Sequence, residues 1–233
     1  MWKIVSDEKI FLDFLILLFY IATYTGKCCN IERLNMKSIH KIFNENRGYA
    51  YLRDLKKRGI HTDTIKKQLD EGIIEKVKPG LYKLADKEIS AEQGMIDVCI
   101  AMPKAVVCLH SALSYYELTT TVPSVIMVAL PRGIKPVKLY YPPIKVFHFS
   151  NKNHISGIKL VETPFGNFRI YDVEKTIVDC FRFRNKLGED VAIEGLRNYF
   201  STYNYHVNKI VKYAKEGRIF SIMEPYLKAY LQR

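Results

Sequence analysis

The sequence predicts a mixed α+β protein, in which a small N-terminal domain of helices and a hairpin precedes an α/β domain with a small sheet and C-terminal helices. Three observations support this class. Apolar residues recur at helical spacing near both ends of the chain, alternating apolar and polar runs lie between them, and glycine or proline separates most segments. We expect an apolar extension over residues 1–35, the first domain over residues 36–85 and the second over residues 86–233.

Three short helices are predicted in the first domain. Their expected ranges are 38–46, 51–58 and 62–71, with Ser38 and Thr62 placed to cap the first and the third. In each helix the apolar residues are three or four positions apart, and a glycine follows, which is typical of helix ends.

A β-hairpin is predicted directly after the third helix, in the stretch EGIIEKVKPGLYKL, Glu71 to Leu84. Two runs of alternating apolar and charged residues flank Lys78-Pro79-Gly80, a sequence typical of a tight turn. Three helices, with a glycine turn between the last two, followed by a hairpin have the element order of a winged helix-turn-helix. The hairpin would then be the wing.

Charge favours an anionic partner. The chain has 36 Lys and Arg against 24 Asp and Glu, a formal net charge of +12, which suits DNA, RNA, anionic lipid or an acidic protein. Residues 36–85 contribute +6 of this excess, from 12 basic and 6 acidic residues. An ordinary solvated face is the alternative, and Asp70, Glu71 and Glu75 interrupt a uniformly positive surface.

The predicted DNA contacts lie on the third helix, at the end of the second helix and on the hairpin. The face of the third helix opposite Ile65 and Leu69 would enter the major groove of double-stranded operator DNA, and the hairpin lysines would reach neighbouring phosphates. The candidate contact residues are Lys57, Arg58, His61, Thr62, Asp63, Thr64, Lys66, Lys67, Lys76 and Lys78.

The second domain is predicted to begin with a helix, in which Ser90 and Gln93 have the spacing of a capping box and Pro103 marks the end. Four or five strands follow, with a short helix in HSALSYYEL and a turn over residues 164–167. Asp172 can then cap a helix that extends to Gly188, and three further amphipathic helices complete the chain.

In their order along the chain, several segments resemble the AbiEi-type antitoxins of bacterial type IV toxin–antitoxin and phage-defence systems. YLRDLKKRGIHTDTIKKQLDEGIIEKVKPGLYKL is similar to that family's N-terminal winged helix, CLHSALSYYEL to its His-Ser-Ala-Leu segment and YDVEKTIVDCF to its Glu-Arg-Thr-Leu-x-Asp segment. The chain departs from the family pattern at Lys175, where the family often has Arg, and in its first 35 residues.

The resemblance implies an antitoxin that represses its own operon through the winged helix and opposes a nucleotidyltransferase-like toxin through the C-terminal region. Lys175, Arg182 and Arg184 are the candidate toxin-neutralising residues. Whether the toxin is contacted directly stays open. The alternative is a standalone winged-helix transcriptional regulator whose C-terminal domain senses a small molecule.

Catalytic chemistry is not predicted, and we expect neither a cofactor nor a metal site. Glu174 and Asp179 are five positions apart on one predicted helix, which separates them by about 140° around its axis. His110 and Ser111 are neighbours whose side chains point apart, and no acid completes a triad with them. An enzyme of nucleic-acid metabolism remains an alternative, which would require a metal-dependent activity lost on substitution of Glu174 or Asp179.

Residues 10–23 are almost entirely apolar, but they number 14 and include Asp13, whereas a membrane-spanning helix needs roughly 20 apolar residues. The pattern of a cleaved signal peptide is also missing. We expect an accessory helix without membrane association, with membrane tethering and a functional start at Met36 as alternatives.

Five cysteines are present, without a CxxC pair or a histidine at zinc spacing, so a reducing cytoplasm is the expected compartment. Three of them, Cys99, Cys108 and Cys180, lie in apolar stretches. These three are expected to be buried, inert thiols.

Overall fold

The computed structural model describes residues 39–85, 90–202 and 206–231, and within them helices and strands are mixed, as predicted. Residues 39–85 form one sheet and the later residues another, and we call these parts the N-terminal unit and the C-terminal unit. The predicted extension over residues 1–35, its apolar run and the positions of Met36 and Ser38 lie outside the described residues. In the part of the chain that the structure describes, no helix is long and apolar enough to cross a membrane.

The N-terminal unit contains three helices and a three-stranded antiparallel sheet. Helices α1, α2 and α3 span residues 39–45, Leu52–Lys57 and Thr62–Asp70, and strands β1, β2 and β3 span Tyr49–Tyr51, Ile74–Lys78 and Leu81–Leu84. β3 lies between β1 and β2 in the sheet. The three predicted helices and the hairpin are present, whereas β1 was not predicted and occupies the expected start of α2.

Apolar side chains from the three helices and the sheet meet in one core. Phe43, Leu55, Ile65 and Ile74 are each at most 2% exposed. Burial of a side chain of this size contributes about 1.5–3 kcal/mol, so these contacts hold the short helices in place. A helix as short as α2 would not be stable alone.

Glycines form the two predicted turns of this unit. Gly59, between α2 and α3, has a φ of +79°, and Gly80, at the tip of the hairpin, has a φ of +76°. Side chains of L-residues rarely accept this conformation, which explains why glycine occupies both positions.

The C-terminal unit contains a five-stranded sheet, which agrees with the four or five strands predicted. Strands β4 to β8 span Val106–Val107, Ile126–Pro131, Ile144–Phe149, Ile158–Thr163 and Gly166–Tyr171. Their order in the sheet is β6-β5-β4-β8-β7. Helices α4 to α11 span Gln93–Ala101, Leu109–Tyr115, Asn151–Ile155, Val173–Arg182, Arg184–Leu187, Glu189–Thr202, Val207–Glu216 and Phe220–Leu231.

The connection between β5 and β6 is unusual for a parallel pair. The two strands run parallel over six residue pairs, from Ile126 with Ile144 to Pro131 with Phe149. Such pairs need a crossover connection, which is usually a helix. Here residues 132–143 make the crossover without any helix or strand.

Helix α7 is the centre of the C-terminal unit. Every residue from Val173 to Phe181 is buried, because α5, α9, α10 and α11 pack around this helix. The predicted cap is confirmed, since Asp172 Oδ1 accepts a hydrogen bond from the Lys175 N–H at 2.8 Å. The helix does not continue to Gly188 as predicted, because it ends at Arg182 and Phe183 separates it from the short α8.

The capping box predicted for α4 is wrong. Glu92 occupies the N-cap position, and Ser90 Oγ accepts a hydrogen bond from the Glu92 N–H at 3.0 Å. The Gln93 side chain does not return to Ser90. Its Nε2 instead donates to the Tyr49 hydroxyl at 2.6 Å and to Asp97 Oδ1 at 3.0 Å.

The buried cysteines agree with the sequence prediction. Cys99, Cys108 and Cys180 are buried free thiols, and burial raises the pKa of each of them. A raised pKa keeps the thiolate scarce at neutral pH, so these three side chains are unreactive. Cys28 and Cys29 lie outside the described residues.

Candidate nucleic-acid interface

Helix α3 presents a polar face to solvent. Ile65 points into the core at 2% exposure, and Leu69 lies one turn further along the same face. Of the predicted contact residues in and before α3, Thr64 is half-buried and the others are exposed: His61, Thr62, Asp63, Lys66 and Lys67. At about 100° per residue, Asp63, Thr64 and Lys67 lie furthest round the helix from Ile65 and Leu69.

The start of α3 differs from the prediction. His61, rather than Thr62, is the N-cap residue, and its side chain makes no capping hydrogen bond. The first turn of α3 therefore has backbone N–H groups that no side chain of the cap satisfies. Such N–H groups, at the positive end of a helix dipole, are well suited to a phosphate oxygen.

Lys57 is the last residue of α2 and Arg58 is its C-cap, four residues before α3 begins, and both are exposed. Arg58 Nη1 forms an ion pair with Glu45 Oε2 at 2.7 Å, and the two side chains are 48% and 41% exposed. An exposed pair of this kind contributes roughly 0–1 kcal/mol, so a phosphate could displace the Glu45 carboxylate at little cost.

The hairpin lysines do not project from the hairpin as predicted, because both face the C-terminal unit. Lys78 Nζ donates a hydrogen bond to the Ala101 carbonyl at 2.6 Å, at the C-terminal end of α4, where the negative end of the helix dipole favours a cation. Lys76 Nζ lies 5.2 Å from the centre of the Tyr140 ring. Both lysines are half-buried.

Acidic side chains interrupt the surface, as the sequence indicated. Asp70 and Glu71, at the end of α3, are exposed. Glu75 is also exposed, but it lies 3.4 Å from Lys83 Nζ, so this carboxylate is partly compensated within the hairpin. Among the predicted contact residues, the exposed cations are therefore those at the end of α2 and in the middle of α3, and carboxylates lie among them.

A buried polar cluster joins the two units. It consists of Tyr49 and Lys83 from the first sheet and Gln93 and Asp97 from α4, and we call it the Asp97 cluster. The Tyr49 hydroxyl donates to Asp97 Oδ1 at 2.5 Å, and Lys83 Nζ pairs with Asp97 Oδ2 at 2.9 Å. The carboxylate thus has partners on both oxygens, as a buried charge requires.

The pKa values in the Asp97 cluster follow from burial and charge. Burial and the Asp97 carboxylate both raise the pKa of Tyr49, so this hydroxyl stays protonated and remains a donor. Burial opposes the charged form of Lys83, but the hydrogen bond and the charge of Asp97, with help from Glu75, outweigh it and raise the pKa of Lys83. Tyr49 and Lys83 therefore both keep their protons at neutral pH.

A cleft of about 870 Å³ opens beside the Asp97 cluster, between the two units. Its walls include Lys76 on β2, Tyr141 and Pro142 before β6, and Gly94 on α4. The volume is in the range of small-molecule sites. Among the described residues, no group of three His, Cys, Asp or Glu side chains is placed to hold a metal ion.

The three candidate toxin-neutralising residues are not free surface cations. Lys175 is 4% exposed, and its Nζ pairs with Asp179 Oδ2 at 2.5 Å and lies 5.2 and 5.0 Å from the centres of the Phe149 and Tyr171 rings. A partner protein cannot reach it there. The prediction for Lys175 is thereby corrected, because the sequence could not show that the helix carrying it is buried on all sides.

Arg182 and Arg184 are half-buried. The Arg182 guanidinium lies over the Phe149 and Phe183 rings, and its Nη1 is buried without a hydrogen-bond partner. Arg184 Nη1 donates to the Phe181 carbonyl at 3.1 Å. Both side chains are therefore engaged in packing α7 and α8 rather than extended into solvent.

The four residues weighed as catalytic groups have separate partners. Glu174 accepts hydrogen bonds from the Tyr199 hydroxyl at 3.0 Å and Lys209 Nζ at 2.9 Å, whereas Asp179 pairs with Lys175. His110 Nε2 lies 2.8 Å from Thr121 Oγ1. Ser111 Oγ accepts from the Met127 N–H at 2.8 Å, so it is not hydrogen-bonded to His110.

Sequence reasoning missed the Asp97 cluster. One signal could have indicated it: Asp97 is a single acid within GMIDVCIAM, an otherwise apolar helical segment. An acid in that position needs a buried partner, but its partners Tyr49 and Lys83 come from another unit and could not be identified from spacing.

No protein-family model matches the chain, and no curated protein has a significantly similar sequence. The resemblance to AbiEi-type antitoxins therefore rests on the three segments quoted above.

Proposed function

We propose that the N-terminal unit is a winged helix-turn-helix that binds double-stranded operator DNA through α3, and that the chain is a cytoplasmic DNA-binding regulator. The observation that carries the proposal is the exposed polar face of α3, together with the exposed Lys57 and Arg58 at the end of the preceding helix. The order of elements from α1 to β3, with β3 between β1 and β2, agrees with a winged helix-turn-helix and supports the proposal further. In such proteins the second helix of the motif, which would be α3 here, lies in the major groove.

The roles of the contact residues follow from their chemistry. Lys57, Arg58 and Lys66 would bind phosphates, which supplies affinity, and the phosphate contacts would make that affinity fall with salt. His61 and Thr64 have compact polar side chains that would hydrogen-bond to base edges or, for Thr64, contact a thymine methyl group, and these contacts would supply specificity. Lys76 and Lys78 are excluded from this set in the observed arrangement, because they contact the C-terminal unit.

The test is a titration of the full chain with the DNA upstream of its own gene at several salt concentrations. In the double variant Lys57→Ala/Lys66→Ala, log K should fall less steeply with log [salt], with a slope smaller in magnitude by about 1.8, since each lost phosphate contact removes about 0.9. A matched control with the same loss of charge is Lys159→Ala/Lys212→Ala, because both lysines are exposed on the C-terminal unit. An unchanged slope in the first variant would contradict the role given to α3.

We further propose that the chain is the antitoxin and autorepressor of a type IV toxin–antitoxin operon, as the resemblance implies. In this role the C-terminal unit opposes a nucleotidyltransferase-like toxin. The observation behind this step is sequence resemblance alone, so its test is genetic. Co-expression with a nucleotidyltransferase-like protein encoded beside it should restore growth, and failure of the full chain to do so would sink this part of the proposal.

The second candidate is a transcriptional regulator that responds to a small molecule. The cleft between the units favours it, since a ligand there would touch Lys76 on the hairpin and Tyr141 on the C-terminal unit at once. A dialysable cell extract should then change the DNA affinity of the chain, and Tyr141→Ala should remove that response. If the extract does not change the DNA affinity of the unsubstituted chain, the antitoxin proposal is the better account.

A further inference from the structure

The stretch from residue 118 to residue 161 contains no acidic residue. Over the same 44 positions it contains six basic residues, all of them exposed: Arg132, Lys135, Lys138, Lys145, Lys152 and Lys159. None of the six forms an ion pair with any residue that the structure describes. Lys159, on β7, lies at the opposite edge of the sheet from Lys145 on β6, so the six cations do not form one patch. Surfaces usually intersperse both signs of charge, so neighbouring cations within this stretch, with no carboxylate between them in the chain, favour an anionic partner.

Three of these cations lie in residues 132–143, which we call the crossover loop. Alongside Arg132, Lys135 and Lys138, the loop exposes Tyr140 by 58% and Tyr141 by 70%. Basic residues interleaved with exposed aromatic rings are typical of nucleic-acid contacts, because the cations bind phosphate while tyrosine hydroxyls donate to it.

The crossover loop is held in a defined position beside the hairpin. The Tyr140 N–H donates to the Val77 carbonyl on β2 at 3.1 Å, which attaches the loop to the free edge of the first sheet. At the other end of the loop, the Arg132 N–H donates to the Phe149 carbonyl at 2.9 Å, and the His148 ring lies 3.1 Å from the Ile134 carbonyl. The cations between these attachments are therefore presented on a fixed segment.

The crossover loop also supplies what the hairpin lacks. Lys76 and Lys78 are turned towards the C-terminal unit, so β2 offers few outward cations of its own. The loop is attached to that same strand, and β2 directly follows α3 in the chain. A duplex lying along α3 and β2 would next meet the positive charges of the loop.

We propose that the crossover loop is a second contact for double-stranded DNA, in which Arg132, Lys135 and Lys138 bind phosphates next to the site on α3. This inference rests on the proposed DNA-binding function and extends it to the C-terminal unit. Because these contacts are to phosphates, they add affinity and lengthen the DNA site without adding sequence specificity.

The test compares the full chain with the double variant Lys135→Ala/Lys138→Ala, and with Lys159→Ala/Lys212→Ala as the charge-matched control. Lys159 is on β7, at the opposite edge of the sheet from β6, and Lys212 is on α10. The probe is a random-sequence duplex titrated at several salt concentrations. In the loop variant, log K should fall less steeply with log [salt], with a slope smaller in magnitude by about 1.8, and the control should leave the slope unchanged. All substituted side chains are exposed, so thermal unfolding should be unaltered.

Three results would overturn the inference. Equal effects of the two variants would indicate a general effect of net charge, and no effect of either would leave the loop without a DNA contact. A loop variant that keeps its DNA affinity but loses binding to polyglutamate would assign the loop to an acidic protein. The α3 variant Lys57→Ala/Lys66→Ala separates the two proposals: if it binds DNA normally while the loop variant does not, the role of α3 fails and the loop contact stands.

Discussion

Two buried lysine–aspartate pairs in this molecule differ in what they hold together. Lys83 and Asp97 belong to different units, and the lysine side chain retains 18% exposure. Lys175 and Asp179 are one turn apart on α7, with side chains 5% and 2% exposed. The first pair depends on the arrangement of the two units, whereas the second is enclosed in the core of one unit.

The surroundings of the two aspartates differ as well. Asp97 receives two further hydrogen bonds, from Tyr49 and Gln93. For Asp179 the structure shows one donor, Lys175, and burial raises the pKa of this carboxyl although the Lys175 charge opposes the shift. A buried charge with fewer hydrogen bonds is less well compensated, so loss of its partner should cost more.

The largest effect is expected for Asp179→Ala. The substitution leaves the Lys175 ammonium buried without a counter-charge, which should lower the free energy of unfolding by about 3–5 kcal/mol. Denaturant unfolding would measure this loss. The control is Lys175→Met/Asp179→Leu, which removes both charges at similar volume and should recover most of the stability. A double variant no more stable than Asp179→Ala would show that packing, not the unpaired charge, causes the loss.

A smaller effect is expected for Asp97→Ala, about 2–3 kcal/mol, because Lys83 is near enough to solvent to be rehydrated. The loss should be concentrated where the units meet, so hydrogen exchange should accelerate in β1 and β3 before it does in α7. Glu75→Ala removes only the more exposed partner of Lys83 and serves as the control, with a change of about 0.5 kcal/mol or less. Uniform acceleration throughout the chain would contradict a role for Asp97 in joining the units.

The comparison also shows what could be predicted from the sequence. The helices and hairpin of the N-terminal unit follow from local signals: apolar residues three or four apart, and the glycines at positions 59 and 80. β1 was missed because Tyr49-Ala50-Tyr51 has no alternation, and its strand structure comes from pairing with β3 some 30 residues later. Local pattern cannot indicate a strand that depends on such a distant partner.

Polar residues caused the remaining errors for the same reason. Gln93 has the spacing of a capping residue, but the Tyr49 hydroxyl, 44 residues away, takes its side chain instead. Lys175 was expected at a surface because lysine is rarely buried. Its burial depends on Asp179 and on the rings of Phe149 and Tyr171. The two rings come from other elements of the fold, so the local sequence around Lys175 does not reveal them.

A third buried carboxylate allows a test by pH. Burial opposes the charged form of Glu174, but hydrogen bonds from Lys209 and Tyr199 outweigh it and lower the pKa of Glu174. The folded state therefore binds a proton less readily than the unfolded state, in which the pKa is about 4.3. The resulting stabilisation is present above that pH and is lost as the pH falls through the lowered pKa.

Glu174→Gln should therefore reduce stability by about 1 kcal/mol at neutral pH, a value kept low because Lys209 is partly exposed. The difference between the two proteins should shrink as the pH falls below about 4.3. Chemical unfolding at a series of pH values would measure it. A difference that stays constant down to the acid limit would mean that the charge of Glu174 contributes nothing and that only its shape matters.

The smallest effect on stability is expected at the surface, for Arg58→Ala. Its ion pair with Glu45 is short but half exposed, so the free energy of unfolding should change by about 0.5 kcal/mol or less. The same substitution should weaken DNA binding and make the salt slope shallower by about 0.9, because one proposed phosphate contact is lost. Glu45→Ala provides the opposite control: it frees the Arg58 guanidinium and should strengthen DNA binding, with a change in stability as small as that of Arg58→Ala. If both substitutions weaken DNA binding, the ion pair itself would position α2, and Arg58 would not be a phosphate contact.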